Sequence, residues 1–188
     1  MNKDYYDIHS GFWANLFKQK PKSNELLELL KLIPPFQELS KKSLKTLAEI
    51  VHYRRYTLNE NIFLQGDPGL GLYLILEGEV VIQYFSPKGK KVILANLKAG
   101  DFFGELALID GETRSASAVA STGCKLAIIF KPDMDEYIQN FPKEGNLILS
   151  GITKIIITRL RHLNNQFLLL HDSLIENTME DENGISNK

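Results

Sequence analysis

The sequence predicts an α+β protein: an eight-stranded β-roll of jelly-roll type, preceded by helices and followed by one long helix. Three observations carry that expectation. Glycines recur at Gly66, Gly78, Gly89, Gly100, Gly111 and Gly123, in steps of 11 or 12 residues, the repeat of one strand plus one turn. The runs between them, such as Leu72-Tyr73-Leu74-Ile75-Leu76 and Val80-Val81-Ile82, are rich in β-branched and aromatic residues. On either side of this region the apolar spacing changes to the 3–4 rhythm of helices.

Taken in order, residues 1–23 form an N-terminal extension with an aromatic knot, Phe12-Trp13 and Leu16-Phe17, ahead of Lys18, Lys20 and Lys22. A short helix docked on the protein's own domain or on a dimer mate is expected there. The adjoining aromatic and basic residues leave an interfacial or partner helix as the alternative. The domain itself is expected over residues 24–142. Leu26, Leu27, Leu29, Leu30 and Ile33 are spaced as a helix that Pro34-Pro35 ends. Ser40 is placed to cap a second helix carrying Leu44, Leu47, Ala48 and Val51.

About eight strands fit between residues 53 and 130. Ser86-Pro87-Lys88-Gly89-Lys90 is expected to close a hairpin. Beyond Pro132, Met134, Tyr137, Ile138 and Phe141 mark a short helix stopped by Pro142. A long helix is expected over 143–175, with Leu149, Ile152, Ile156, Leu160, Leu163, Phe167, Leu170 and Leu174 on one stripe. Steps of three and four make that stripe a coiled-coil seam. At nearly 30 residues and 1.5 Å each, the helix would run roughly 40 Å and outreach one small barrel, so a homodimer is expected. The acidic tail 176–188, with Glu180, Asp181 and Glu182, is expected to be disordered.

Composition narrows the function. The 188 residues have room for one domain and helical extensions. Twenty-two basic residues nearly balance 23 acidic ones, without the basic surplus of a nucleic-acid binder. No segment approaches the roughly 18 uncharged apolar residues of a membrane helix, and the N-terminus lacks a secretory pattern. A cytoplasmic location is the expectation. The single cysteine, Cys124, excludes an intramolecular disulfide and reads as a buried small hydrophobe rather than a reactive thiol. The four histidines have no metal-site spacing with one another or with Cys124. No metal is expected.

One segment breaks the strand–turn rhythm: Phe103-Gly104-Glu105-Leu106-Ala107-Leu108-Ile109, with Arg114-Ser115-Ala116-Ser117 close behind. A short helical patch from Leu106 to Ile109 would expose unpaired N–H groups at its start. Arg114 and the Ser115 hydroxyl add a cationic fork and a donor, a set suited to a phosphate. Glu105 would repel that phosphate unless it faced a neutral donor, such as a sugar hydroxyl, on the same ligand. Asp101, Glu105, Asp110 and Glu112 could also mimic an acid–base carboxylate set, but no substrate-binding apparatus accompanies them. An enzyme is not expected, and no catalytic residue is assigned.

The segment resembles the phosphate-binding cassette of cyclic-nucleotide-binding domains, of the catabolite-activator and kinase-regulatory-subunit type. Upstream, Gln65-Gly66-Asp67 and Leu72 to Val80 resemble the opening strands of the same family. The resemblance covers about residues 24 to 170. It implies that Glu105 accepts the ribose 2′-hydroxyl and Arg114 pairs with the cyclic phosphate. Backbone groups of Gly104, Leu106, Ala107 and Ser115, with the Ser115 hydroxyl, would complete the cradle. Asn164, or Asn165 beside it, is the implied residue over the base, although solvated side chains on the helix surface are the preferred reading of both. Thr113 departs from the family pattern, where proline often precedes the arginine, and Leu70-Gly71 replaces a polar pair.

The implied function is a non-catalytic receptor for cAMP or cGMP that signals through its last helix to an unknown downstream partner. In the activator branch a helix-turn-helix domain follows that helix, and here only about a dozen polar residues do, so DNA binding is not expected. The competing readings are a structural adaptor whose pocket is empty, with Glu105 and Arg114 paired to each other, and, behind it, a DNA-binding regulator.

Overall fold

The computed structural model describes residues 23–109 and 111–185. The expectations for the aromatic N-terminal knot and for Asp110 lie outside the described residues. Helix α1 (Ser23–Leu32) is followed by a single 3₁₀ turn, Pro34–Phe36, and by α2 (Lys41–Glu49). The Ser40 hydroxyl caps α2 by accepting from the Ser43 N–H at 3.1 Å.

Eight strands then form two antiparallel four-stranded sheets. These are β1 (His52–Tyr56), β2 (Asn61–Phe63), β3 (Gly71–Glu77), β4 (Glu79–Phe85), β5 (Lys91–Lys98), β6 (Phe102–Phe103), β7 (Ser117–Ala120) and β8 (Cys124–Phe130). One sheet runs β1-β8-β3-β6 and the other β2-β7-β4-β5. The β4–β5 hairpin turns at Ser86–Lys90 as expected, with the Ser86 N–H donating to the Lys90 carbonyl at 2.9 Å. A four-residue helix, α3 (Leu106–Ile109), interrupts the strands. Two helices complete the chain, α4 (Lys131–Asn140) and α5 (Pro142–Ile185).

Strand alternation builds two cores from one sheet. In β3, Leu72 and Leu74 face the helices, where they join Leu30, Phe36, Leu47, Met134 and Ile152. Their neighbours Tyr73 and Ile75 point the other way, into the space between the sheets with Val80, Phe103 and Leu126. Strand β8 does the same, with Ala127 and Ile129 on the helical side and Leu126 and Ile128 inside the roll. These central strands therefore read as continuous apolar runs. Cys124 is buried in the roll and its thiol donates to the Glu79 carbonyl.

The first part of α5 is folded back on the body. Ile148 and Ile152 are fully buried, and Gly151 lies against the 3₁₀ turn. Leu149, the first residue of the expected seam, is partly exposed, and the body-facing line includes Ile148 and Ile152. The helix also runs past the boundary expected at residue 175 and continues to Ile185. Residues 176–185 thus continue the helix where disorder was expected over 176–188, and residues 186–188 lie outside the described residues. Glutamate and methionine are good helix formers, and neither proline nor glycine occurs between Glu176 and Glu182. No helix among the described residues is long and apolar enough to cross a membrane.

Gly151 gives the first test of this packing. A Cβ there would sit 2.5 Å from the Pro35 Cα and 3.2 Å from the Pro34 carbonyl oxygen, both rigid backbone. Gly→Ala inside an exposed helix normally adds about 0.5–1 kcal/mol. Here the clash outweighs that gain, and Gly151→Ala is expected to destabilise by about 1–3 kcal/mol. A calorimetric Tm several degrees below wild type is the expected reading; an equal or higher Tm would show that α5 and the turn are loosely apposed.

Candidate functional site

The cassette hangs between the two sheets. Phe103 ends β6 and Gly104 turns the chain at φ 77°, a conformation that favours glycine. A Cβ on Gly104 would also meet Arg114 Nη1 at 2.8 Å and the Gly71 carbonyl at 2.9 Å. Glu105 follows, and its carbonyl accepts from the Leu108 N–H as α3 begins. The returning segment is held by the loop after β2: the Arg114 N–H donates to the Asp67 carbonyl and the Gly66 N–H to the Arg114 carbonyl, each at 2.8 Å. The Gln65-Gly66-Asp67 segment thus fixes the backbone that carries the arginine.

Arg114 is a buried cation, 7% exposed. Its Nη2 donates to the Gly71 carbonyl at 3.0 Å and its Nη1 to the Gly104 carbonyl at 3.2 Å. The guanidinium lies 4.2 Å from the Phe63 ring centre and 5.4 Å from that of Tyr73, within cation–π range. Its Nε is buried without a hydrogen-bond partner among the described residues. Burial pushes the Arg114 guanidinium below its ordinary value, and Tyr73, Glu105 and Asp67 oppose that shift. A buried charge that contacts carbonyl dipoles and ring faces, and forms no ion pair among the described residues, is suited to a bound anion.

Glu105, 2% exposed and also at the cavity, is committed elsewhere. It pairs with Arg159, which reaches in from α5. The alternative arrangement, with Glu105 bonded to Arg114, is not the one in the structure, where Glu105 pairs with Arg159. Of the other carboxylates, Asp101 accepts from the Lys98 N–H within a turn, and Glu112 lines the site.

These groups open on a cavity of about 480 Å³, within the range of small-molecule sites. Gly104, Glu105, Leu106, Arg114 and Ser115 all line it. Ala107 is in α3, and its side chain lies outside the described residues. Asn164 is exposed on α5 and is not among the lining residues, so within one copy of the chain it does not cover the cavity. In its place is Arg159, which the sequence reading missed. The apolar wall was missed too: Phe63, Ile82, Ala95, Leu97 and Phe102, drawn from β2, β4, β5 and β6. The inward alternation of β4 and β5 was the available signal for part of that wall. Nothing local marks Arg159.

The sequence model of the cyclic nucleotide-binding domain matches residues 53–141. The crystal structure of a cyclic nucleotide-binding domain from Methylobacillus flagellatus is 30% identical, with a TM-score of 0.68 over 78% of this chain and 82% of that one. The cyclic AMP receptor protein of Thermus thermophilus is 32% identical over 73% of this chain and 62% of its own length. A cAMP-dependent protein kinase regulatory subunit from Colletotrichum orbiculare is 35% identical over 55% of this chain and 26% of its own. The chain thus spans less than two thirds of these curated relatives. Among the described residues no cluster could hold a metal ion.

Proposed function

The chain belongs to the cyclic nucleotide-binding domain family, and from that premise we propose that it is a receptor, not a catalyst, for a cyclic purine nucleotide. The observation that carries the reading is Arg114, a buried cation with no ion pair among the described residues, at the wall of a cavity of ligand size. The cyclic phosphate supplies the missing anion, bonded by Arg114 and the Ser115 hydroxyl. The ribose lies toward Glu105, and the base packs on the apolar wall of Ile82, Ala95 and Leu97. A phosphate alone would be poorly matched, because the same cavity holds the Glu105 carboxylate; a sugar hydroxyl beside the phosphate resolves that conflict.

Signalling follows from the partner of Glu105. The carboxylate that meets the ribose is tied to Arg159 on α5, so occupancy of the cavity acts directly on the helix that leaves the body. A ligand that changes this contact shifts the balance between poses of α5 and offers a different surface to a downstream protein. Two copies joined along α5 would share that response.

Calorimetric titration with cAMP and cGMP tests the proposal, and the absence of heat with both would leave the adaptor reading in its place. A finer test is Glu105→Gln. It is expected to weaken nucleotide binding less than loss of Arg114, and 2′-deoxy nucleotide should lose most of its penalty in this variant. Full additivity of the two losses would show that Glu105 does not meet the ribose.

A further inference from the structure

Lys131 occupies a position that the stability of its own helix does not explain. It is the first residue of α4, where the helix dipole disfavours a cation. Its side chain turns away from that helix start. The Lys131 ammonium donates to the Leu108 carbonyl at 3.1 Å and to Asp135 Oδ1 at 3.1 Å. Leu108 lies in the last turn of α3, whose carbonyls have no partner within so short a helix, and a cation is favourable there. Asp135, one turn along α4, holds the ammonium in place. The backbone of Lys131 is engaged as well, its N–H donating to the Leu70 carbonyl at 2.8 Å next to Gly71.

The neighbouring contacts run in the same direction. The Leu108 side chain is buried in the core that also contains Met134 and Tyr137 of α4. Gly111, just beyond α3, passes close enough that a Cβ would touch Lys131 Cε at 3.6 Å. The cassette helix is therefore tied at both ends to the C-terminal helices: through Glu105 to Arg159 of α5 and through Leu108 to Lys131 of α4. The Glu105 tie lies inside the cavity, where a ligand competes for it. The Lys131 tie lies outside it, since Lys131 does not line the cavity.

We infer that Lys131 is a positioning residue that locks the cassette helix to α4, so that the two move as one unit when the cavity fills. This rests on the nucleotide reading for the identity of the trigger, but the lock itself exists without ligand. Lys131→Met keeps the apolar stem and removes both polar contacts; Lys131→Arg restores a donor of similar reach.

Amide hydrogen exchange on the full chain, with and without saturating cAMP, tests the lock. Without nucleotide, Lys131→Met is expected to raise exchange roughly tenfold or more in both 106–113 and 131–136, while β3 and β8 keep their protection. Lys131→Arg should return both segments toward wild type. With cAMP, the wild-type chain should change protection in α3 and α4 together. Lys131→Met should bind with affinity within about threefold of wild type yet confine the change to α3. An unchanged exchange pattern in ligand-free Lys131→Met, or a full α4 response to cAMP in that variant, would overturn the inference. If the wild-type chain binds neither cAMP nor cGMP, the nucleotide reading fails separately, and the ligand-free comparison still decides whether Lys131 holds the two helices together.

Discussion

Arg114→Ala is expected to lower cyclic-nucleotide affinity by roughly 10–150-fold, the equivalent of the 1.5–3 kcal/mol carried by a charge-assisted hydrogen bond. The range has a physical floor. The guanidinium is buried against Phe63 and Tyr73, so its attraction for an anion is less screened than at a surface. Arg159, the other arginine lining the cavity, pairs with Glu105 and reaches in from α5, on a different part of the chain from Arg114. The fold should survive with a lower Tm, because the Gly71 and Gly104 carbonyls lose their donors and the Phe63 face loses its cation. Arg114→Lys separates charge from geometry. Lysine keeps the cation but cannot span both carbonyls as a fork does, so its affinity should fall between wild type and alanine. Calorimetry on the three proteins, with circular dichroism to confirm the fold, gives the reading. Unchanged affinity in Arg114→Ala would remove the phosphate assignment.

The parts of this site that were legible from sequence are those that lie close together along the chain. Gly104, Glu105, Arg114 and Ser115 fall within a dozen residues, and local rules set their geometry: a positive φ at Gly104, a helix start at Leu106, a return strand at Ser117. The strand order could not be read this way. Strand β3 pairs with β8, and β2 with β7, pairings between residues 48 to 59 apart that only the packing of both faces selects. Arg159 illustrates the same limit at the site. Its role depends on how α5 packs on the body, and that packing includes the close approach of Gly151 to Pro35, neither of which lines the cavity. The face of α5 that packs on the body has a related origin. A stripe of threes and fours is compatible with two adjacent registers, and contact with the 3₁₀ turn chose the one that buries Ile148 and Ile152. The tail was misjudged because acidic composition was weighed above helix propensity in a segment that continues an existing helix, where no new nucleus has to form.

Association through α5 should produce the other large effect, since the two halves of that helix have different surroundings. Up to Ile152 it is buried on its own body, and Ile156 is half-buried. Beyond that point the described apolar side chains of the stripe are uncovered: Leu160 is 55% exposed, Leu163 59% and Phe167 66%. These three continue the stripe at coiled-coil spacing, and an apolar line of that kind in a helix projecting from the body matches a second copy of the same line. Helix α5 is about 66 Å long at 1.5 Å per residue, which leaves ample length for pairing beyond the domain. Each leucine fully buried contributes roughly 1.5–3 kcal/mol, so Leu160, Leu163 and Phe167 should dominate the association. We therefore expect a homodimer, and the double variant Leu163→Asp/Phe167→Asp should be monomeric with an intact β-roll, because neither side chain contributes to either core. Placing two carboxylates per chain on the seam adds like-charge repulsion to the lost burial, which makes the dissociation close to complete at micromolar concentration. Light scattering should give about twice the 21.3 kDa chain mass for wild type and the single chain mass for the variant. A wild-type mass near 21.3 kDa would sink the dimer and would leave the cavity, with Arg114 and Glu105, as it stands.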